Sequence, residues 1–379
     1  MMSDPKIKSY KNKSNLPVMV DFFCGAGGFT RGALDAGVHV ICGIDCDERA
    51  KNTYEKNNKN YDGASVKFIT KRLEDIRPDD LNILLKPFKK HPLIFVGCPP
   101  CQPFTNLGTE KKRSDNSKGA LAIFIEFVAA FQPEFVVVEN VPGIRDRKYG
   151  NIWTDALIRL ENIGYSVRHE VVNAKWYGVP QTRRRTLLIA SLHEKNPPWP
   201  VVKYGLDNYK KVRDALRNGV PLARLEAGEK CLKDSLHSAA SLSDLNLKRI
   251  RAIKKPGGSR TDWPEELLLD CYKNFSGYTD IYGRMDWNKP SPTLTTRFNS
   301  LSNGRFGHPE EDRAITPREG ALLQTFPPNY NFSDTSVNVN VRHIGNAVPP
   351  LLAKEIVAAI MKRIESCSDY VEADPDGSV

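Results

Sequence analysis

The first two hundred residues alternate short, continuously apolar runs with helical stretches, and this alternation restricts the fold more than any other feature of the chain. Val18 to Phe23, Val38 to Ile44, Leu93 to Val96, Phe135 to Val138 and Thr186 to Ala190 read as strands without a polar face. Strands apolar on both sides are covered on both sides, as in parallel sheets flanked by helices. Thr30 to Ala36, Ala120 to Phe131 and the segment before Gly164 supply helices between them. The order predicts a doubly wound α/β domain whose ligands sit at the carboxyl ends of the strands.

Beyond about residue 195 the texture changes. Pro197, Pro198 and Pro200 form a breaker cluster, and the next hundred residues are polar, basic and weakly periodic, so a second, smaller domain is expected there. Arg318 to Gln324 and Leu351 to Ile364 regain apolar spacings of three and four, the mark of amphipathic helices. Residues 1–16 are lysine-rich, with no apolar region behind them, and no apolar run approaches the roughly eighteen residues of a membrane span. The polar, acidic tail 366–379 is expected to be disordered. Eight scattered cysteines without a signal peptide read as reduced thiols of a cytoplasmic protein. A net charge of +10 favours a polyanionic partner, although basic composition also serves solubility.

Asp21-Phe22-Phe23-Cys24-Gly25-Ala26-Gly27-Gly28 follows a strand and opens a helix. Glycines there let the backbone approach a ligand, and the helix N-terminus offers free N–H groups. Thr30 stands where the third glycine of a dinucleotide fingerprint would fall, which disfavours a pyrophosphate guest and a dinucleotide-dependent oxidoreductase. Asp45 ends the next strand, a place from which a carboxylate holds ribose hydroxyls, so an adenosyl ligand is suggested. Asp75, followed by Ile76, is either a partner for the adenine amino group or an exposed acidic turn.

Phe95-Val96-Gly97-Cys98-Pro99-Pro100-Cys101-Gln102 carries the strongest signal. Two prolines fix the backbone just after a buried strand and present Cys101 rigidly at its carboxyl end. A redox or zinc reading of Cys98-x-x-Cys101 stays open, although no second such pair completes a tetrahedral site. Glu139, in Val138-Glu139-Asn140-Val141, is a carboxylate at the end of another buried strand; Gln181-Thr182-Arg183-Arg184-Arg185 brings guanidinium groups suited to phosphates, carboxylates or base edges.

The glycine loop, Pro100-Cys101-Gln102, Glu139-Asn140-Val141, Gln181 to Arg185 and the late Gly345-Asn346-Ala347-Val348-Pro349-Pro350 resemble, in order, the motif set of the cytosine-5 DNA methyltransferase family. The resemblance implies a Rossmann-like S-adenosylmethionine-binding catalytic domain at 17–197, a target-recognition domain at 198–290, and a linker with C-terminal helices at 291–365 that return to the catalytic domain. It assigns Cys101 as the covalent nucleophile, flanked by Pro100 and Gln102. Glu139 then holds ring nitrogen N3 and the exocyclic amine, Arg183 the base carbonyl, and Arg185 braces the site. For the cofactor it assigns Phe22 to the adenine, Gly25, Ala26, Gly27 and Gly28 to the methionine part, and Asp45, Cys46, Asp75, Ile76, Asn346 and Ala347 to the rest of the pocket. Cys46 stands where family members often carry a bulky residue, which leaves adenine stacking weaker or differently arranged. S-adenosylhomocysteine is the implied product, and no metal is implied.

A cytosine in a duplex must be flipped out to react, so some segment must close over the DNA. Thr105 to Lys118, with Lys111, Lys112 and Arg113, is the loop the resemblance offers. Arg249, Arg251, Lys254, Lys255 and Arg260, beside a flexible turn, are candidate DNA contacts, either reading guanine or clamping phosphates. The expected partner is double-stranded DNA met by a monomer at the nucleoid, with a separate restriction endonuclease as a cognate enzyme. The rival readings are a transfer RNA methyltransferase of the same fold and a catalytically silent DNA-binding regulator.

Overall fold

The computed structural model describes residues 16–100, 114–146, 150–206, 208–219, 221–270, 280–334 and 336–372, with backbone alone at 114–118 and 367–372. The chain divides into two compact units, one of residues 1–172, 184–201 and 352–379, the other of 173–183 and 202–351. The break expected near residue 290 is therefore not a division: 291–351 belong with the second unit, and so does the short stretch 173–183.

Among the described residues, the first unit holds a seven-stranded sheet: β1 (Val18–Phe22), β2 (His39–Asp45), β3 (Lys67–Thr70), β4 (Leu93–Gly97), β5 (Phe135–Asn140), β6 (Ser166–Asn173) and β7 (Arg184–Ser191). The order is β3-β2-β1-β4-β5-β7-β6. Strand β1 pairs in parallel with β2 and β4, β2 with β3 and β4 with β5, whereas β5 and β7 are antiparallel. The chain thus winds outward from β1 in both directions, which places a switch point between β1 and β4.

Helices α1 (Gly28–Asp35), α2 (Lys51–Asn57), α3 (Pro78–Leu85), α4 (Ser114–Phe131) and α5 (Ile152–Asn162) connect these strands. α4 starts at Ser114, so the last part of the expected loop Thr105 to Lys118 is helical. The strands missed in the sequence, β3 and β6, are the two sheet edges and carry Lys67, Arg168, His169 and Glu170, which break the apolar run.

The core beneath the switch point is aromatic. Phe22 is fully buried, with its ring 5.0 Å from Phe95, 5.2 Å from Phe124 and 5.7 Å from Phe127. Edge-on and tilted contacts of this kind add about 0.5–1.5 kcal/mol each beyond simple burial.

The second unit contains α6 (Val212–Leu216), α7 (Asp244–Ala252), α8 (Pro317–Leu323), α9 (Val337–Asn346) and the start of α10 (Pro350–Glu372). Its small apolar cluster joins Ile250, Ile253, Trp263, Tyr282, Leu301 and Ala314. Buried arginines supply much of the rest. Arg313 makes two 2.8 Å hydrogen bonds to Glu319. Burial alone would raise the Glu319 carboxyl, but Arg313 outweighs it and holds the group at about 2. Arg284 donates to the carbonyls of Ile250, Ile253, His308 and Glu311.

Helix α10 runs past Ser366, where an unstructured tail was expected. Among the described residues, Val337–Ser366 is long and apolar enough on average to cross a membrane, although Lys354 and Glu355 break any continuous apolar run. Leu352, Ile356 and Ile360 in it are nonetheless fully buried within the protein.

Phe124→Ala should remove the ring that closes the aromatic core over Phe22. A loss of about 3–5 kcal/mol in unfolding free energy is expected in denaturant titrations.

Candidate active site

The glycine loop sits where β1 ends. Gly25 and Gly27 have φ of +50° and +88°, which a side chain would strain, and a Cβ on Gly25 would meet no atom within 4 Å. Asp45, at the end of β2, accepts hydrogen bonds from Gly25 N at 2.9 Å and Asp47 N at 2.8 Å, so its carboxylate is fixed across the two loops. Cys46 and Asp75 are exposed, and Ile76 is buried beside Asp75. Open space above a backbone turn, with the Asp45 carboxylate beside it, suits ribose hydroxyls and a positive sulfonium and repels phosphates.

A second group lies at the ends of β4 and β5. Cys98 N donates to Phe22 O at 3.2 Å, which ties the Pro99-Pro100 turn to β1. Asn140 Nδ2 donates to Pro99 O at 3.0 Å from within the protein. Asn140 was not assigned a role from sequence, yet it holds the turn that leads into Cys101. Cys101 and Gln102, with Lys111, Lys112 and Arg113, lie outside the described residues; Pro100 is exposed.

Glu139 and Arg185 are brought together by the antiparallel pairing of β5 and β7, in which Glu139 faces Leu187 and Asn140 faces Thr186. Arg185 Nε stands 2.9 Å from Glu139 Oε1, with the two side chains 11% and 9% exposed. The attraction is ionic, since the N–H is not aimed at the oxygen and Oε1 has no aligned hydrogen bond among the described residues. Desolvation beside this pair, with the Glu139 charge adding to it, pushes the Cys98 thiol well above its usual range, so Cys98 is a neutral packing group.

The family model for C-5 cytosine-specific DNA methylases matches residues 18–362. The chain belongs to that family. The Type II methylase M.HgiDII of Herpetosiphon aurantiacus is 40% identical over 92% of this chain and 96% of its own length. The Type II methyltransferase M1.HphI of Haemophilus parahaemolyticus is 31% identical over 90% of this chain and 86% of its own length. Among solved structures, a prophage-encoded DNA modification methyltransferase from E. coli has a TM-score of 0.67 at 23% identity, covering 93% of this chain and 100% of that one. The reaction of this methylase is methyl transfer to carbon 5 of cytosine, with S-adenosylmethionine as donor.

Three sequence assignments need correction. Phe22 cannot stack on adenine, because its ring is enclosed by the core. Its neighbour Phe23 is half-buried and held at φ +61°, a left-handed conformation that costs a non-glycine residue about 1–3 kcal/mol and is found most often at functional sites. The signal was the end of the strand: one residue further on, the side chain turns to the other face.

Arg183 does not present its guanidinium to a base; it is 1% exposed and donates to the carbonyls of Leu294, Gly345, Asn346 and Ala347. Among the candidate DNA contacts, Arg249 and Arg260 are also buried, Arg249 donating to Leu267 O and lying over the Trp263 and Tyr282 rings. Arg251, Lys254 and Lys255 are exposed, with Arg251 3.3 Å from Asp312. Asn346 is exposed and Ala347 half-buried, both in the second unit.

Beneath the glycine loop of the methylase lies a fully buried carboxyl, Asp21. Its Oδ2 accepts from Thr30 Oγ1 at 2.6 Å, which in turn lies 2.8 Å from Tyr54 OH, while Oδ1 has no partner among the described residues. Burial, only partly offset by the Thr30 hydrogen bonds, raises Asp21 to about 7. The folded protein therefore holds a proton that the unfolded chain, with an ordinary carboxyl near 4, has released. Stability is lost as pH rises from about 4 to about 7 and the deficit is complete above that. Asp21→Asn removes the effect, so its stability relative to the parent should improve by up to ~1.4 kcal/mol per pH unit across that window. Urea unfolding of both proteins at pH 5 and pH 8 checks this, and an equal difference at the two values would contradict it.

Proposed function

We propose that the methylase activates cytosine through Cys101, Glu139 and Arg185, with Arg185 in the place that sequence alone gave to Arg183. What carries the reading is the Glu139–Arg185 ion pair at the end of β5, next to the turn that enters the Pro-Cys-Gln motif.

Carbon 5 of cytosine is a weak nucleophile. The Cys101 thiolate adds to carbon 6, the ring electrons move toward carbon 5, and carbon 5 then takes the methyl group. Glu139 would hold N3 and the exocyclic amine and stabilise the charge that develops as sulfur adds. Arg185 holds the Glu139 carboxylate by charge and would meet the base carbonyl. Loss of the carbon 5 proton to a base returns the electron pair to the ring and expels the thiolate. Bound S-adenosylmethionine supplies an electrophilic methyl group. Phe23, Gly25, Asp45 and Asp75 would hold it in the first unit, and the family motif adds Asn346 and Ala347.

The substrate is double-stranded DNA with the target base flipped out, and exposed Arg251, Lys254 and Lys255 would meet phosphates. Two relatives named Type II methylases support a place in a restriction-modification system, beside a separate endonuclease in the cytoplasm.

The purified protein, given methyl-labelled donor with duplex DNA or total transfer RNA, should yield 5-methylcytosine in the DNA. Label confined to the RNA would reassign the substrate. Cys101→Ser should abolish turnover while donor binding persists. Arg185→Lys should lower kcat about a hundredfold, the scale for one lost charge-stabilising donor.

A further inference from the structure

We propose that Arg183 is a positioning residue for the methyl donor: with Gln324 it caps helix α9 and fixes the 345–347 turn. This rests on the reading above that Asn346 and Ala347 meet the donor.

The last carbonyls of a helix have no partner within it and need donors from elsewhere. Helix α9 ends at Asn346. Arg183 Nη2 lies 3.1 Å from Gly345 O, 3.5 Å from Asn346 O and 3.0 Å from Ala347 O, while Nη1 reaches Leu294 O at 3.3 Å. Gln324 Nε2 donates to Ile344 O at 2.6 Å and to Ala347 O at 3.3 Å. Gln181 closes the ring, donating to Gln324 Oε1 at 2.9 Å and accepting from Leu294 N at 3.0 Å. A fixed cation at a helix C-terminus also favours the helix dipole.

Steric fit points the same way. A Cβ on Gly345 would lie 2.2 Å from Thr295 O and 2.7 Å from Thr295 C, so the 294–296 backbone rests directly on the helix end. Arg183, Gln181 and Gln324 are all buried, whereas Asn346 is exposed. The turn is gripped through its carbonyls on one side and presents the Asn346 side chain on the other. Two arginines of a single motif then serve different substrates, Arg185 the base and Arg183 the donor.

The test compares Arg183→Met, Arg183→Lys, Gln324→Met, Asn346→Ala and Arg185→Lys in the full chain. Donor affinity is measured by calorimetry with S-adenosylmethionine and no DNA, and kcat is measured at saturating donor. Arg183→Met and Gln324→Met should each weaken donor binding about tenfold or more, as expected when a contact group is misplaced, with kcat changed much less. Arg183→Lys, which keeps the charge without the planar fork, should fall between parent and Arg183→Met. Arg185→Lys should show the reverse split. Should Arg183→Met fail to fold, Gln324→Met decides, since it removes a different donor to the same turn. Parent-like donor binding by the Arg183 and Gln324 variants, while Asn346→Ala weakens it, overturns the positioning role and leaves the donor reading intact. Undiminished binding by Asn346→Ala overturns the donor reading at this turn, and the proposal with it.

Discussion

Phe22 at the end of β1 stands in register with Ile44 of β2 and Gly97 of β4, and Gly97 in turn with Val138 of β5. Parallel pairing thus makes four buried strands stop at one level. Their following residues, the glycine loop, Asp45, the Pro99-Pro100 turn and Glu139, emerge along a single edge of the first unit. Strands covered on both faces leave little room for polar groups within the sheet, so chemistry is pushed to that edge. Asp21 departs from this pattern inside β1, and burial raises its carboxyl to about 7.

The second unit is organised differently. Its apolar cluster is small, and much of its backbone is irregular among the described residues, so buried carbonyls lack sheet or helix partners. Arginine supplies the donors: Arg183, Arg284 and Arg313 each bridge backbone carbonyls from separate segments, and Arg318 holds those of Pro328 and Tyr330. The planar guanidinium with its five N–H groups suits this work better than lysine.

That difference explains what the sequence disclosed. The interior strands were legible because their apolar runs are unbroken, and the strand-end motifs because their spacing follows from where the strands stop. Edge strands β3 and β6 were not, since charged residues interrupt them. Helix α9 begins Val-Asn-Val-Asn-Val, a period-two pattern that argues against a helix, yet Val339, Val341 and Ile344 are all buried on a helical backbone. Phe22 and Phe23 differ by one position at a strand end, where face is decided by register. Arg249 and Arg260 look like DNA contacts because charge alone cannot tell a solvated guanidinium from one spent on carbonyls and rings. The same ambiguity made Arg183, whose guanidinium is spent on carbonyls, look like a base contact.

The first unit is also discontinuous: residues 202–351 separate its sheet from the helix segment that begins at Leu352, whose Arg363 pairs with Glu194. Ile356, Val357 and Ile360 in that segment are fully buried. On the ribosome, the sheet therefore waits while the entire second unit is made, on the order of ten to thirty seconds at ordinary rates of synthesis. During that interval Ile356, Val357 and Ile360 cannot take up their buried places, an opening for chaperones or for aggregation.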